Sequence, residues 1–550
     1  LTSHLHLLKV VSFREAEEKV FMTPYKTRAV CAAIVAGLAG LLAAAPATAA
    51  PEQASRVIVK FKAGTFAKGK ALIGRLGGRV LVDLREVDAL ATRLSPKAIA
   101  FMARHPSVEF VEPDGEMTMM GNRTARRGGA VAAASMAERV PYGIPMVQAD
   151  LVSDGQTANR KVCIIDSGYD VQHEDLGTGA NVTGENLSDT PDWNTDQQGH
   201  GTHVAGTIAA LGGNGVGVVG VMPSGLVDLH IVKVFGSTGS VSSSTVAKAG
   251  IRCLQARANV VSMSLGGAGG SRLQEIVFGF LERRGILNIA AAGNSGDSTI
   301  SFPAGFPSVM SVAAIDSNMA WASFSQFNET VEIAAPGVAV ESTVPMGTGD
   351  QDVSFVAGGT SFPVLGIDGT PSGDVVATLA DFGLGLAPDA AMSGKLCITS
   401  RGDIAFSDKV LNCQASGGVG SVIYNNESGP LLATLGGVVT AIPSAGAAGE
   451  DGAALVGLAA SGATGRLTVG SAGNYSFYNG TSMATPHVAA VAALVWSYHP
   501  ECNAGQIRAA LNASAMDIDV AGRDDRTGSG LVQAQAALSY LDSNSCAPAR

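Results

Sequence analysis

Five short apolar runs constrain this chain more than any other feature: KVCIID (161–166), LVDLHIVKVF (226–235), VVSMSL (260–265), ILNIAAAG (286–293) and SVMSVAAI (308–315). Continuously apolar segments of this length, rather than alternating ones, belong to strands buried on both faces. Helical stretches begin at His200, Ser242 and Ser271 between them. Strand and helix in alternation predict an α/β fold built on a doubly wound parallel sheet. With 550 residues, 46% hydrophobic and 15% charged, the chain can fill several cores. A net charge of −10 without a basic stripe excludes a nucleic-acid surface.

Around this sheet the composition changes six times along the chain. Residues 22–49 combine Met22, Lys26 and Arg28 with an apolar run and Ala47-Thr48-Ala49, the pattern of a cleaved export signal rather than a membrane anchor. Residues 1–21 form an upstream extension. From 50 to 116, RVIVKFK, GGRVLVDL and VEFVEP alternate with two helical stretches and predict a small α+β unit. Residues 117–137 are rich in Arg, Gly, Ala and Met and read as a linker open to proteolysis. The regular pattern runs from 138 to 360, breaks for a Gly-rich, β-rich insert at 361–470, and resumes at 471–550 with GTSMATPHVAAVAALVWSY. Outside the signal the cysteines number six, an even set in an exported chain. Cys397 with Cys413 and Cys502 with Cys546 are natural local pairs, whereas Cys163 and Cys253 either pair or are small buried residues.

Hydrolysis by a hydroxyl needs a nucleophile, a base within reach, and an acid that orients the base. In an open α/β sheet such groups collect at the carboxyl ends of strands. Asp166 ends a buried strand, His200 opens a helix in GHGTHVAGTIAA, and Ser482 sits where a helix begins in NGTSMATPHVAA. Singly, each has an ordinary structural role as turn cap, core histidine or helix cap. Together, in the order Asp, His, Ser, they form a catalytic constellation. Ser361 repeats the triplet Gly-Thr-Ser, but Phe362-Pro363 follows it and no helix-forming run does.

On VCIIDSGYD (162–170), GHGTHVAGTIAA (199–210), VVSMSLGG (260–267), AAAGNSG (290–296) and NGTSMATPHVAA (479–490), the chain resembles the subtilase family of serine peptidases. The resemblance implies a secreted endopeptidase acting on proteins and peptides, with Asp166 as orienter, His200 as base, Ser482 as nucleophile and Asn294 as oxyanion donor. His203 and His487 would be structural. Ser264, Leu265 and Gly266 would form one substrate-binding edge, Gly239 the other, and Gly293 would line the pocket before the scissile bond. A structural Ca²⁺ is implied at Asp175, Asn214 and Glu138 with the carbonyls of Leu211, Val216 and Val218, an all-oxygen shell. Residues 50–116 resemble the family's inhibitory propeptide, and the insert resembles a protease-associated domain. The first cut is expected after Met120, with trimming near Met136-Ala137, self-maturation, a broad apolar-leaning preference, and no membrane anchor in the mature form. The Asn479-Gly480-Thr481 sequon is a chance match, since a glycan there would cover Ser482.

Overall fold

A computed structural model describes residues 53–124, 138–431 and 433–546. The expected export signal and the expected trimming site at Met136-Ala137 lie outside the described residues. Among the described residues no helix is long and apolar enough to cross a membrane.

The N-terminal unit is a four-stranded antiparallel sheet in the order Arg79–Leu84, Ala89–Leu94, Ser55–Phe61, Val108–Pro113, with helices Phe66–Arg75 and Pro96–Ala103. The period of two along Ser55–Phe61 serves two interfaces. Val57, Val59 and Phe61 bury into the unit's own core with Ile73, Leu90 and Met102, while Ile58 faces a second core shared with the next domain. Ser95, in extended conformation, caps the second helix by accepting from Ala98 N, and Pro96 starts it.

Seven parallel strands form the central sheet, in the order Val331–Pro336, Val309–Ile315, Leu287–Ala291, Val260–Met263, Lys161–Asp166, Asp228–Lys233, Val182–Asn186. In Lys161–Asp166, Val162 and Ile164 join the core under helices His200–Ala209 and Thr481–Tyr498, and Cys163 and Ile165 join the one under Ser243–Gln255 and Arg272–Arg283. Thr481–Tyr498 is buried along its length except at Tyr498. Hence its sequence is small and apolar on every side. Two of the seven strands, Val182–Asn186 and Val331–Pro336, escaped the sequence reading. The run 260–265, read as one strand, divides at Ser264: Val260–Met263 stays in the parallel sheet, and Leu265–Ala268 leaves it for antiparallel partners.

The insert is an eight-stranded sheet in the order Thr360–Phe362, Gln351–Ala357, Thr464–Ala472, Gly373–Asp381, Leu396–Ser400, Gly420–Tyr424, Ser444–Ala447, Val364–Gly366. Its two outer strands are separated in the chain only by Pro363, so the sheet curls until its edges follow one another in sequence. The insert therefore spans 351–472 rather than 361–470. Its first strand was missed because the polar alternation of QDVSFVA buries only Phe355 and Ala357. At its root Gly349 N donates to Gly473 O (2.7 Å) and Gly473 N to Asp350 O (3.1 Å). Ser361 lies exposed in this insert, on its outer strand. Three disulfides close: Cys397–Cys413, Cys502–Cys546 and Cys163–Cys253. The last joins the central strand to helix Ser243–Gln255, which settles the alternative left open by the sequence.

Residues 117–124 are not a free linker. Glu116–Met119 is a strand inserted between Ser240–Ser242 and Leu265–Ala268, pairing antiparallel with both, and Asn122–Thr124 pairs with Tyr475–Asn479. Extended segments of this kind take their order from the edges that flank them, which is why composition alone misreads them.

Candidate active site

The central strand delivers Asp166 fully buried at its carboxyl end. Its Oδ1 is 2.8 Å from His200 Nδ1 and accepts Ser167 N at 2.7 Å. His200 opens its helix next to Gly201, where a Cβ would meet Gly168 O at 2.3 Å. Only glycine lets the helix approach the strand this closely. Burial opposes the imidazolium, but the charge and hydrogen bond of Asp166, with Asp196 adding to them, hold the His200 pKa above its usual value.

Asp196 is a residue the sequence reading missed. Its carboxylate accepts Gln198 N, Gly199 N, Thr202 N and Thr202 Oγ1 at 2.8–3.0 Å. It thus satisfies the first turn of the His200 helix. The signal was an aspartate four residues before the histidine in DQQGH. Lys233, buried at the end of the neighbouring strand, braces the same loop by donating to Pro191 O, Thr195 O and Gln197 Oε1.

Ser482 lies in the first turn of helix Thr481–Tyr498. Its Oγ donates to Ser264 O (2.9 Å), and Ser264 Oγ donates to Ser482 O (2.8 Å). The Nε2 of His200 is buried and has no hydrogen-bond partner among the described residues. The aspartate–histidine bond is therefore made, and the serine hydroxyl points to the Ser264 carbonyl.

The strand 116–119 runs directly into this cluster. Met120 N donates to Ser264 O (3.3 Å), and Met120 O accepts from Asn294 Nδ2 (2.8 Å) and Ser482 N (3.1 Å). Thr481 fixes the Asn294 amide, since its N and Oγ1 both donate to Asn294 Oδ1 at 2.9 and 2.8 Å. A Cβ on Gly480 would stand 2.4 Å from Met120 O, so the carbonyl needs glycine there. A Cβ on Gly121 would lie 3.0 Å from His200 Nε2. The Met120–Gly121 bond thus spans the serine, the histidine and the amide cradle.

Of the expected substrate edges, Leu265 pairs with Met119 and Gly266 with Thr118. Gly239 stands beside the Met119 side chain, 3.3 Å from its Cε to an added Cβ. Met120 extends over Gly266, where Ser301 Oγ also closes the space. Ser301, missed by sequence reasoning, therefore lines this pocket. At Gly293 an added Cβ would run into the Gln326 side chain, so the position requires glycine. The other two helix histidines, His203 and His487, are buried against main-chain carbonyls. His203 Nε2 lies 3.0–3.1 Å from Val340 O and Ser476 O, and His487 Nδ1 lies 2.7 Å from Met483 O. Burial lowers their pKa values to about 3 and about 4.

Asp175, Asn214 and Glu138 converge. Asp175 accepts Asn214 Nδ2 (2.7 Å) and Val218 N (2.8 Å), and Glu138 Oε1 accepts Gly213 N and Asn214 N. Burial, with Glu138 and Glu174 adding to it, pushes the Asp175 pKa up to about 6. Among the described residues no lysine or arginine pairs with Asp175 or Glu138, and the carbonyls of Leu211, Val216 and Val218 take no main-chain N–H. Two uncompensated carboxylates beside three free carbonyls fit a hard cation.

A doubly wound sheet that gathers an aspartate, a histidine and a serine at its carboxyl edge, around a cradled peptide carbonyl, has the layout of an α/β serine peptidase. A profile of the subtilase family matches residues 157–362 and 438–530, and one of the PA domain matches 371–455. The chain is 39% identical over 305 residues to subtilisin amylosacchariticus of Bacillus subtilis subsp. amylosacchariticus, spanning 53% of this chain and 74% of that one. It is 45% identical over 221 residues to subtilisin DY of Bacillus licheniformis, spanning 38% and 77%. Among solved structures, the psychrophilic subtilisin-like protease Apa1 from the Antarctic psychrotroph Pseudoalteromonas sp. AS-11 matches with a TM-score of 0.55 and 41% identity, covering 75% of this chain and all of that one. Fervidolysin from Fervidobacterium pennivorans, at 22% identity and a TM-score of 0.57, with 89% and 61% covered, shares the fold. The chain belongs to the subtilase family: it is a subtilisin-like serine endopeptidase carrying an inserted PA domain.

Proposed function

We propose that this is a secreted, self-maturing endopeptidase in the state before its first cut, with its own residues 116–124 lying in the substrate cleft. The single observation that carries the reading is the Met120 carbonyl, held by Asn294 Nδ2 and Ser482 N. Donors so placed stabilise the charge that develops on that oxygen as the carbon becomes tetrahedral.

In this reading Ser482 Oγ turns about its Cα–Cβ bond from Ser264 O toward His200 Nε2. The proton passes to Nε2 as Oγ bonds to the Met120 carbonyl carbon, and Asp166 holds the imidazolium. Collapse of the oxyanion breaks the Met120–Gly121 bond. The Nε2 proton goes to the Gly121 nitrogen, which leaves as an amine. Water, deprotonated by His200, then attacks the Met120 acyl ester, giving a free Met120 carboxylate and regenerating the serine. Residues 53–120 stay behind as an inhibitor, held by the sheet pairing and by Glu112 and Asp114. Broad, apolar-leaning specificity follows from the methionines that fill the cleft.

Calcium, held by Asp175, Asn214 and Glu138 with the carbonyls of Leu211, Val216 and Val218, would neutralise the paired carboxylates and pin the loop 211–218. In the Ser482→Ala precursor, purified free of other proteases, the full-length chain is expected to accumulate, whereas the wild type yields a new N-terminus at Gly121. Processing of the variant at the wild-type rate would refute self-cleavage. Absence of labelling at Ser482 by a fluorophosphonate in mature protein would refute its role as nucleophile.

A further inference from the structure

Met117 lies four residues before the Met120–Gly121 bond, counting Met120 as the first. Its side chain is 3% exposed and belongs to the apolar cluster containing Val246, Leu265 and Leu273. One polar group enters its surroundings. Gln274, 1% exposed in the first turn of helix Arg272–Arg283, directs Nε2 at Met117 Sδ (2.8 Å) and at Ser243 O (3.1 Å). The Ser243 carbonyl fixes which end of the amide is which, because only an N–H is favourable toward it. One hydrogen of the NH₂ group is thus committed to the protein main chain, and the other is offered to whatever occupies the cleft.

We propose that Gln274 is a specificity-determining residue that makes this enzyme favour an unbranched, acceptor-bearing side chain, methionine above all, four residues before the cut. This rests on the reading that residues 117–120 stand where a substrate binds. With an aliphatic side chain of the same length in the pocket, the second N–H is buried with no partner, and the penalty falls on the complex with that substrate. A site built to hydrogen-bond its ligand rejects the analogue lacking the acceptor more strongly than a plain apolar pocket discriminates by shape. A thioether is a weak acceptor, so the selection is a matter of preference rather than exclusion.

Norleucine keeps the length and flexibility of methionine and replaces sulfur by a methylene. Two peptides carrying the sequence of residues 117–122, one with methionine and one with norleucine at the first position, are digested with mature wild-type enzyme, and the products are identified by mass. Both are expected to be cut between methionine and glycine, with kcat/KM favouring methionine about three- to tenfold. In Gln274→Leu the ratio is expected to fall to about one. Gln274→Met repeats the test with a side chain closer in volume should the leucine variant fold poorly. A wild-type ratio of one or below overturns the inference without touching the proposed cleavage, as does an unchanged ratio in a folded Gln274 variant. Failure to cut either peptide between methionine and glycine would instead overturn the placement of the substrate, and this inference with it.

Discussion

The N-terminal unit grips the central α/β domain by the ends of two helices, and the grips are unequal. Asp114 Oδ1 accepts Ser244 N (2.9 Å) and Ser243 Oγ (3.0 Å), and its Oδ2 accepts Ser244 Oγ (2.7 Å) and Arg56 Nε (2.5 Å). Its side chain is fully buried, and helix Ser243–Gln255 receives no cap from its own Ser242 side chain. Glu112 accepts Ser271 Oγ (2.7 Å), Arg272 N (3.1 Å) and Leu273 N (3.1 Å). The helix it serves, however, already has Ser271 bonded to Gln274 N. Losing a helix cap costs about 0.5–2 kcal/mol, and bonds to an ionised acceptor contribute about 1.5–3 kcal/mol each net of exchange with water, not additively. For Asp114→Ala, with several donors left unpaired at a sole cap, a net loss of about 3 kcal/mol follows, close to a hundredfold in inhibition constant. For Glu112→Ala, where the exposed main chain can turn to water and the serine cap remains, about 1 kcal/mol or fivefold follows. The assay is inhibition of the enzyme from Gly121 onward by residues 53–120 supplied in trans, with each variant titrated against hydrolysis of a peptide substrate. Equal effects of the two substitutions, or a larger one for Glu112, would refute the argument from capping.

Four further outcomes are expected. Since Asp166 holds the His200 pKa above its ordinary value of about 6.5, and the base must be neutral, kcat/KM is expected to rise with pH through an acid limb above that value; a limb below 6 in the pH–rate profile would contradict this. Ser482→Ala and His200→Ala are each expected to remove nearly all turnover, the double variant little more, because the groups act as one unit; Ser361→Ala is expected to be silent, and Asn294→Ala to lower kcat about 10²–10³-fold, the effect that loss of such a donor has in subtilisin. Excess chelator is expected to lower the thermal midpoint, with calcium at a hundred times its Kd restoring about 2.7 kcal/mol; because the Asp175 pKa is raised from 3.8 to about 6, the Asp175 contribution to calcium-free stability is fully present below pH 4 and is lost as pH rises through 6, and Asp175→Ala should abolish both effects in calorimetry. Ser301→Gly, by opening the space beyond Gly266, is expected to raise kcat/KM for phenylalanine relative to methionine before the cut; an unchanged ratio would remove Ser301 from the pocket.

Much of the sheet was legible because buried parallel strands are written as unbroken apolar runs. The Asp166, His200 and Ser482 segments were legible because close packing at a strand end demands Gly and Ala in fixed places, as at Gly201. What escaped was decided by partners distant in sequence. The strand 116–119 alternates polar and apolar side chains over only four residues, too short a run to mark it in isolation, and it is ordered by two edges more than a hundred residues away. Ser264 hides in a strand-like run because its division comes from contact with Ser482 rather than from any breaker residue. Gly293 matches its motif, yet the side chain that meets it, Gln326, lies in another segment. Ser301 and Gln274 read as an ordinary loop serine and helix glutamine until Met120 and Met117 are beside them.

The insert departs from and returns to the enzyme at Gly349 and Gly473, which hydrogen-bond directly to each other. To the host, then, residues 351–472 amount to a hairpin loop, and closing such a loop grows only slowly more costly as it lengthens. That makes the position a socket. A tight turn, or another domain whose ends lie equally close, could be exchanged there without moving a strand of the enzyme. The socket is also wired: Asp350, at its rim, accepts Ser476 Oγ and Phe477 N, in the strand that pairs with residues 122–124 and ends three positions before Ser482. The junction that holds the insert thus shares a strand with the segment that leads into Ser482.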